Sequence, residues 1–304
     1  MAKIPVVATV VASYRYVFAN YLRLLGITWA STVILFAVVI GLFFPLIMAM
    51  QQRLLSGDPT AALGAIGPMF LYEIVALMLV LVPIVGITHQ VLGRKVTWPF
   101  FYLAIGGDYW RLVLASVIAG LIVLGVVFAV TIPVSIAVGI GAAARAGPHP
   151  DPVALAAQMR SFQPAILIAV YSAMLVVIVR FGFFLPTIVV EEKRLGIGRN
   201  WTLTRGNSWR IAGVLVLILI PLLVLGAIQF AALAVFGGPN YLDVFGAPPA
   251  SLKASGDLLR LYLHYWYVYA AASLLLYPLF YGPILVASAH AYRAVAGEAP
   301  AAQD

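Results

Sequence analysis

Long apolar runs separated by short polar or basic punctuation make up most of this chain. Six of them reach the roughly 20 residues that a helix needs to cross a bilayer core. They fall at residues 21–50, 68–92, 112–142, 164–190, 211–236 and 261–292. Ahead of the first run, Val7, Val10, Val11, Tyr14, Val17, Phe18 and Tyr21 recur at helical spacing, with Ser13, Arg15 and Asn20 elsewhere on the wheel. That pattern predicts an amphipathic helix lying in the headgroup plane. Ahead of the third run, Thr97 before Trp98-Pro99 reads as a helix start, with Phe100, Phe101, Ala104 and Ile105 on one face and Gly106-Gly107 as its end. Ahead of the fifth run lies a basic, aromatic stretch over residues 196–211.

These three punctuating stretches share a spacing. Aligned on Arg23, Arg111 and Arg210, they carry Asn20, Asp108 and Asn207 three positions earlier, and Tyr14, Tyr102 and Trp201 nine positions earlier. Trp110 and Trp209 precede the second and third arginines, where the first has Leu22. The arginines are 88 and 99 residues apart, enough for one helical hairpin and its loops. The even-numbered runs carry Pro83, Pro186 and Pro283 in corresponding halves. The expected fold is therefore all-α and integral to the membrane. Six transmembrane helices form three hairpins in a pseudo-threefold repeat, each preceded by a short amphipathic interfacial helix. The units run at about 4–95, 96–194 and 195–296, one domain in all, with a disordered tail at 297–304. In each unit Asn or Asp caps the next span, the aromatic dips into the acyl boundary, and the arginine meets a lipid phosphate. A plainer alternative is that arginine and tryptophan only anchor the helix at the interface.

Composition agrees with a bilayer as solvent. The chain is 64% hydrophobic and 9% charged, against about a quarter charged in soluble domains. It has no cysteine, which excludes disulfides and thiolate metal sites. The N-terminus does not read as a cleaved signal. The net charge of +8 points to anionic lipid rather than nucleic acid. Twelve basic residues fall on the side of the N-terminus: Lys3, Arg15, Arg23, Arg94, Lys95, Arg111, Lys193, Arg194, Arg199, Arg205, Arg210 and Arg293. Five fall opposite: Arg53, Arg145, Arg160, Lys253 and Arg260. The positive-inside rule then puts both termini in the cytoplasm. The opposite side has Gly/Pro-rich loops, a helix start at Asp257, and an aromatic belt of Tyr262, Tyr265, Trp266, Tyr267 and Tyr269.

Arg180 lies inside a span, ten residues or about 15 Å from Val190. A charge at that depth costs at least about 2.5 kcal/mol and should face the bundle interior. Tyr281 and carbonyls freed by Pro186 and Pro283 are its expected partners, with Glu73 nearer the outer face. The arginine is then either a structural group or the lining of an anion cavity. His89 and His290 read as interfacial, because no H-x-x-x-H or H-E-x-x-H spacing occurs, so no metal or other cofactor is expected. Glu191 and Glu192 beside Lys193 and Arg194 read as a solvated face. No nucleophile or acid–base constellation is legible.

Residues 199–211, RNWTLTRGNSWRI, resemble a motif of polytopic bacterial membrane proteins. That family is the membrane domain attached to some glycerophosphodiester phosphodiesterases, with its stand-alone, largely uncharacterised relatives. The match rests on Leu203-Thr204, Gly206 and Trp209-Arg210; Asn200 stands where the family usually has Ser. The resemblance implies a bacterial inner-membrane protein. It carries over no catalytic residue, because no soluble stretch among these 304 residues is long enough to hold the phosphodiesterase domain. The expected function is non-enzymatic: contact with phospholipid headgroups, organising or moving lipid or a membrane-protein partner. The alternative is a small-solute or anion permease with Arg180 in its pathway.

Overall fold

The computed structural model describes residues 3–55, 61–94, 96, 102–103, 105–146, 166–236 and 264–296. In chain order the elements are α1 (Val6–Ala19), α2 (Tyr21–Val38), a π turn (Val39–Phe43), α3 (Phe44–Leu55), α4 (Ala61–Val91), α5 (Gly107–Ala146) and α6 (166–177). A second π turn (Ile178–Gly182), α7 (Leu185–Glu192), α8 (Ile197–Thr204), α9 (Ser208–Phe236) and α10 (Trp266–Ala296) follow. No strand occurs among the described residues. Five stretches are long and apolar enough to cross a membrane: Tyr21–Met50, Gly67–Val91, Gly107–Gly141, Ile166–Glu192 and Trp266–Ala296. The pair α8 and α9, bent by 96°, makes a sixth. The protein is a multi-pass helical membrane protein. The expected first outer loop, 51–67, is helical at 51–55 and 61–67. The expected loops after Ala146 and Phe236, the Asp257 cap, Tyr262 and the 297–304 tail lie outside the described residues, while Trp266 and Tyr267 of the expected belt are exposed.

Three helices, α4, α7 and α10, touch one another pairwise. Around them, α2 touches α10 and α4, α5 touches α4 and α7, and α9 touches α10 and the second π turn. The starts of α2, α5 and α9 lie beside the ends of α4, α7 and α10. Tyr16 and Arg293 donate to the last carbonyls of α4, at Gln90 (3.1 Å) and Val91 (3.3 Å). Asp108 meets His89 and Lys193, and Tyr292 donates to Glu192. We call this the collar end. Buried side chains concentrate there: in α5 no residue of described exposure beyond Ala115 is buried. The far half instead turns Leu121, Phe128, Ile132 and Ile136 outward, as suits helices solvated by lipid.

Each segment before an outer span packs on one of the three inner helices. Helix α1 lies on α10, where a Cβ at Gly282 would come within 2.9 Å of Val17. Tyr102 lies on α4, where a Cβ at Gly86 would come within 2.8 Å of its ring. Helix α8 lies on the second π turn and α7.

Two expectations about these segments need correcting. The buried stripe of α1 is Thr9, Val10, Ser13 and Val17, while Val7, Val11 and Phe18 are exposed. Ser13, expected on the polar face, is buried and donates to the Thr9 carbonyl at 2.6 Å. Small hydroxyl residues that satisfy themselves within the helix let it approach α10 closely, so packing rather than polarity sets that face. In the second unit, Tyr102, Leu103 and Ile105 are not helical, so no helix runs down to Gly106; residues 97–101 lie outside the described residues.

Both π turns sit upstream of a proline. Proline has no N–H, and its ring clashes with the carbonyl four residues back. For Pro45 and Pro186 that carbonyl belongs to Gly41 and Gly182, inside the two π turns. Widening the turn moves the carbonyl aside: the N–H of Phe183 reaches the Ile178 carbonyl at 3.0 Å, five residues back. Proline does not suffice alone, since Pro83, Pro133, Pro221, Pro278 and Pro283 sit within α-helix.

Candidate functional site

The three aligned Asn/Asp–Arg pairs do three different things. Asn20 does not cap α2 with its side chain; its Nδ2 donates backward to the Tyr16 carbonyl at 3.0 Å, closing α1. Arg23 is exposed. Asn207 accepts the Ile4 N–H at 3.3 Å, and Arg210 donates to the Ile4 carbonyl at 3.0 Å. The third pair thus holds both backbone groups of a fully buried residue 203 positions away. Asp108 lies within the first turn of α5 rather than before it, and its carboxylate serves side chains. Asn20 and Asp108 thus do not fill the capping role expected of them, while Asn207 and Arg210 join the N-terminal segment to α9. Leu22, Trp110 and Trp209 stand exposed beside the arginines, Trp209 at 90%.

The three aligned aromatics also differ. Tyr14 donates to the Ile218 carbonyl of α9 at 2.8 Å. Tyr102 does not face the acyl boundary; it is buried among α2, α4 and α5 side chains. Burial, then the charge of Asp108, pushes its hydroxyl up to about 12, so it stays a neutral phenol. Trp201 remains partly outside, its ring tilted against Phe181 at 5.1 Å. Arg180 lies over Trp201, 4.8 Å from the ring centroid. This corrects the expected pairing with Tyr281, which instead stacks on Tyr277 at 4.4 Å. The π turn carrying Arg180 meets α8, so the arginine reaches the collar and a cation–π contact stands in for the polar partners. Glu73 is exposed on α4.

The densest chemistry surrounds Asp108. Its carboxylate accepts from His89 Nε2 at 3.1 Å, Arg111 at 3.0 Å and, in a short contact, Lys193 Nζ. These groups come from the end of α4, the start of α5 and the end of α7. They border a cavity of about 410 Å³ lined also by Val85, Tyr102, Tyr109 and the backbone of Gly106 and Gly107. Lys193 has φ of 57°, a left-handed backbone without glycine, which costs about 1–2 kcal/mol. That conformation ends α7 and coincides with its ammonium group reaching Asp108.

Beside the cavity, Glu192 accepts from Arg194, Arg199 (3.1 Å) and Tyr292 (2.8 Å), and Glu191 pairs with Arg94 at 3.2 Å. The 191–194 run that reads as a solvated face therefore ties α4, α5, α8 and α10 to α7. In the sequence His89 reads as interfacial and Lys193 as part of a solvated face, so neither marks a site. The available signal was Asp108 itself, a charged carboxylate where the other two units have asparagine. No group of three or more potential ligands able to hold a metal occurs among the described residues. No family model, curated protein or solved structure matches the chain.

Proposed function

We propose that this chain is a non-enzymatic protein of the bacterial inner membrane, with both termini cytoplasmic, whose collar contacts phospholipid headgroups. Its plan is three like-oriented units, each a pre-span segment and a helical hairpin, around a pseudo-threefold axis. The observation that supports it is the contact pattern: α2 bridges α10 and α4, α5 bridges α4 and α7, and α9 bridges α10 and the π turn that precedes α7, while each pre-span segment rests on one of these inner spans, the first on the last helix of the chain. The resemblance of residues 199–211 to the phosphodiesterase-associated membrane domain fits the same plan.

Headgroup contact follows from what the collar leaves outside. Exposed Trp110 and Trp209 adjoin Arg111 and Arg210, and exposed Leu22 adjoins Arg23. An apolar ring next to a cation suits the membrane–water interface, where each group finds its own solvent. In native mass spectrometry from a mild detergent, the wild-type protein should retain anionic phospholipid. The combined Arg23→Gln, Trp110→Ala, Trp209→Ala variant should retain clearly less. Equal retention by a folded variant would remove headgroup contact from this reading.

A further inference from the structure

Resting on that reading, we infer that the cavity at the start of α5 is a binding site for one phosphate group, the phosphodiester of a phospholipid or a free phosphate ion, held by Arg111 and Lys193. Two cations converge there on one carboxylate, leaving one unit of positive charge before His89 is counted. A phosphodiester carries one unit of negative charge. Arginine offers a planar fork and lysine a mobile point charge, the two usual ways of holding phosphate oxygens.

The surroundings favour an occupant over bare ion pairing. The Arg111 guanidinium lies along Gly107, within 3.4 Å of where a Cβ would stand. Gly106 and Gly107 line the cavity without side chains at the start of α5, the helix end that attracts anions. The volume, about 410 Å³, lies within the range of small-molecule sites. Its apolar wall of Val85, Tyr102 and Tyr109 continues outward, since Tyr109 packs edge-on against exposed Trp110 at 5.3 Å. A headgroup could therefore sit inward with its glycerol backbone toward the interface. Asp108 is the internal placeholder: its one carboxylate pairs with both cations, and a phosphate oxygen would take over Lys193 and Arg111 from it.

The test uses the full chain in detergent, with two probes. Phosphatidylglycerol retention is read by native mass spectrometry, and inorganic phosphate binding by titration calorimetry. Arg111→Gln and Lys193→Gln should each weaken the bound probe about tenfold, one charge-assisted contact at 1.4 kcal/mol per decade. Lys193→Arg should keep most of the binding. Gly106→Leu fills a position with nothing within 4 Å of an added Cβ. It should block binding while leaving the ion pairs and the melting temperature in place, which separates occupancy from folding. Retained lipid without phosphate heat assigns a headgroup; phosphate heat with the same variant pattern assigns the free ion. Wild-type lipid retention that none of these variants changes, with no phosphate heat, overturns the cavity assignment and leaves the broader reading standing. Neither probe binding the wild type overturns both.

Discussion

Gly196 shows how a single position can be fixed twice. Its φ is 72°, and a Cβ would fall 2.4 Å from Ile188 Cγ2. Alanine there must adopt a left-handed backbone and displace a fully buried side chain. Gly196→Ala should cost about 1–3 kcal/mol and lower the melting temperature in a fluorescence thermal scan. Gly198→Ala, two residues on with nothing within 4 Å of its added Cβ, should leave it unchanged. Equal shifts for both would show that the α7–α8 turn is not held by this contact. The run of glycine, asparagine and arginine at 196–210 is visible in the sequence. That Asn200 accepts the Phe184 N–H at 3.1 Å and that Trp201 carries Arg180 are not, because both join residues from elements that only folding brings together.

Among the elements, α1 departs most from its sequence pattern. A helical wheel sorts side chains into apolar and polar faces and takes the apolar face to be the one that leaves water. Here Val7, Val11 and Phe18 lie outside, and Thr9 and Ser13 lie against α10. In a bilayer the alternative to protein contact is lipid, so apolar groups gain little by turning inward, and close steric fit decides. Gly282→Val places a branched side chain where even a Cβ comes within 2.9 Å of Val17. It should loosen α1 from α10 and speed tryptic cleavage after Arg15 in the detergent-solubilised protein. Unchanged cleavage would show that α1 is held mainly by the Ile4 contacts to Asn207 and Arg210. The outer spans, by contrast, were legible nearly to their ends, as the stretch Tyr21–Met50 shows. Their signal is local: some twenty consecutive apolar residues need no partner to be recognised.

For the whole molecule, the testable statement is orientation. The chain has no cysteine, so single cysteines report sidedness without background. Gly198 at the collar end and Gly64 at the far end are both exposed, with nothing within 4 Å of an added Cβ. In intact spheroplasts a membrane-impermeant maleimide should label Gly64→Cys and spare Gly198→Cys until the membrane is opened. The reverse pattern would invert the topology and place the Asp108 cavity outside the cell.

By itself the sequence determined that this is a multi-pass helical membrane protein, where its long apolar spans run, and that the stretches before the odd-numbered spans share a spacing. Those properties are written in composition and in residues close together along the chain, where hydrophobicity and helix geometry act directly. The tertiary structure alone decided that α4, α7 and α10 meet, that Arg180 turns to Trp201, and that Asp108 gathers His89, Arg111 and Lys193 beside a cavity. The reason is that a charge in a low-dielectric bundle must find an opposite charge, a polar group or an aromatic face. Which one it finds depends on which helix ends are neighbours, a distance measured through space and not along the chain.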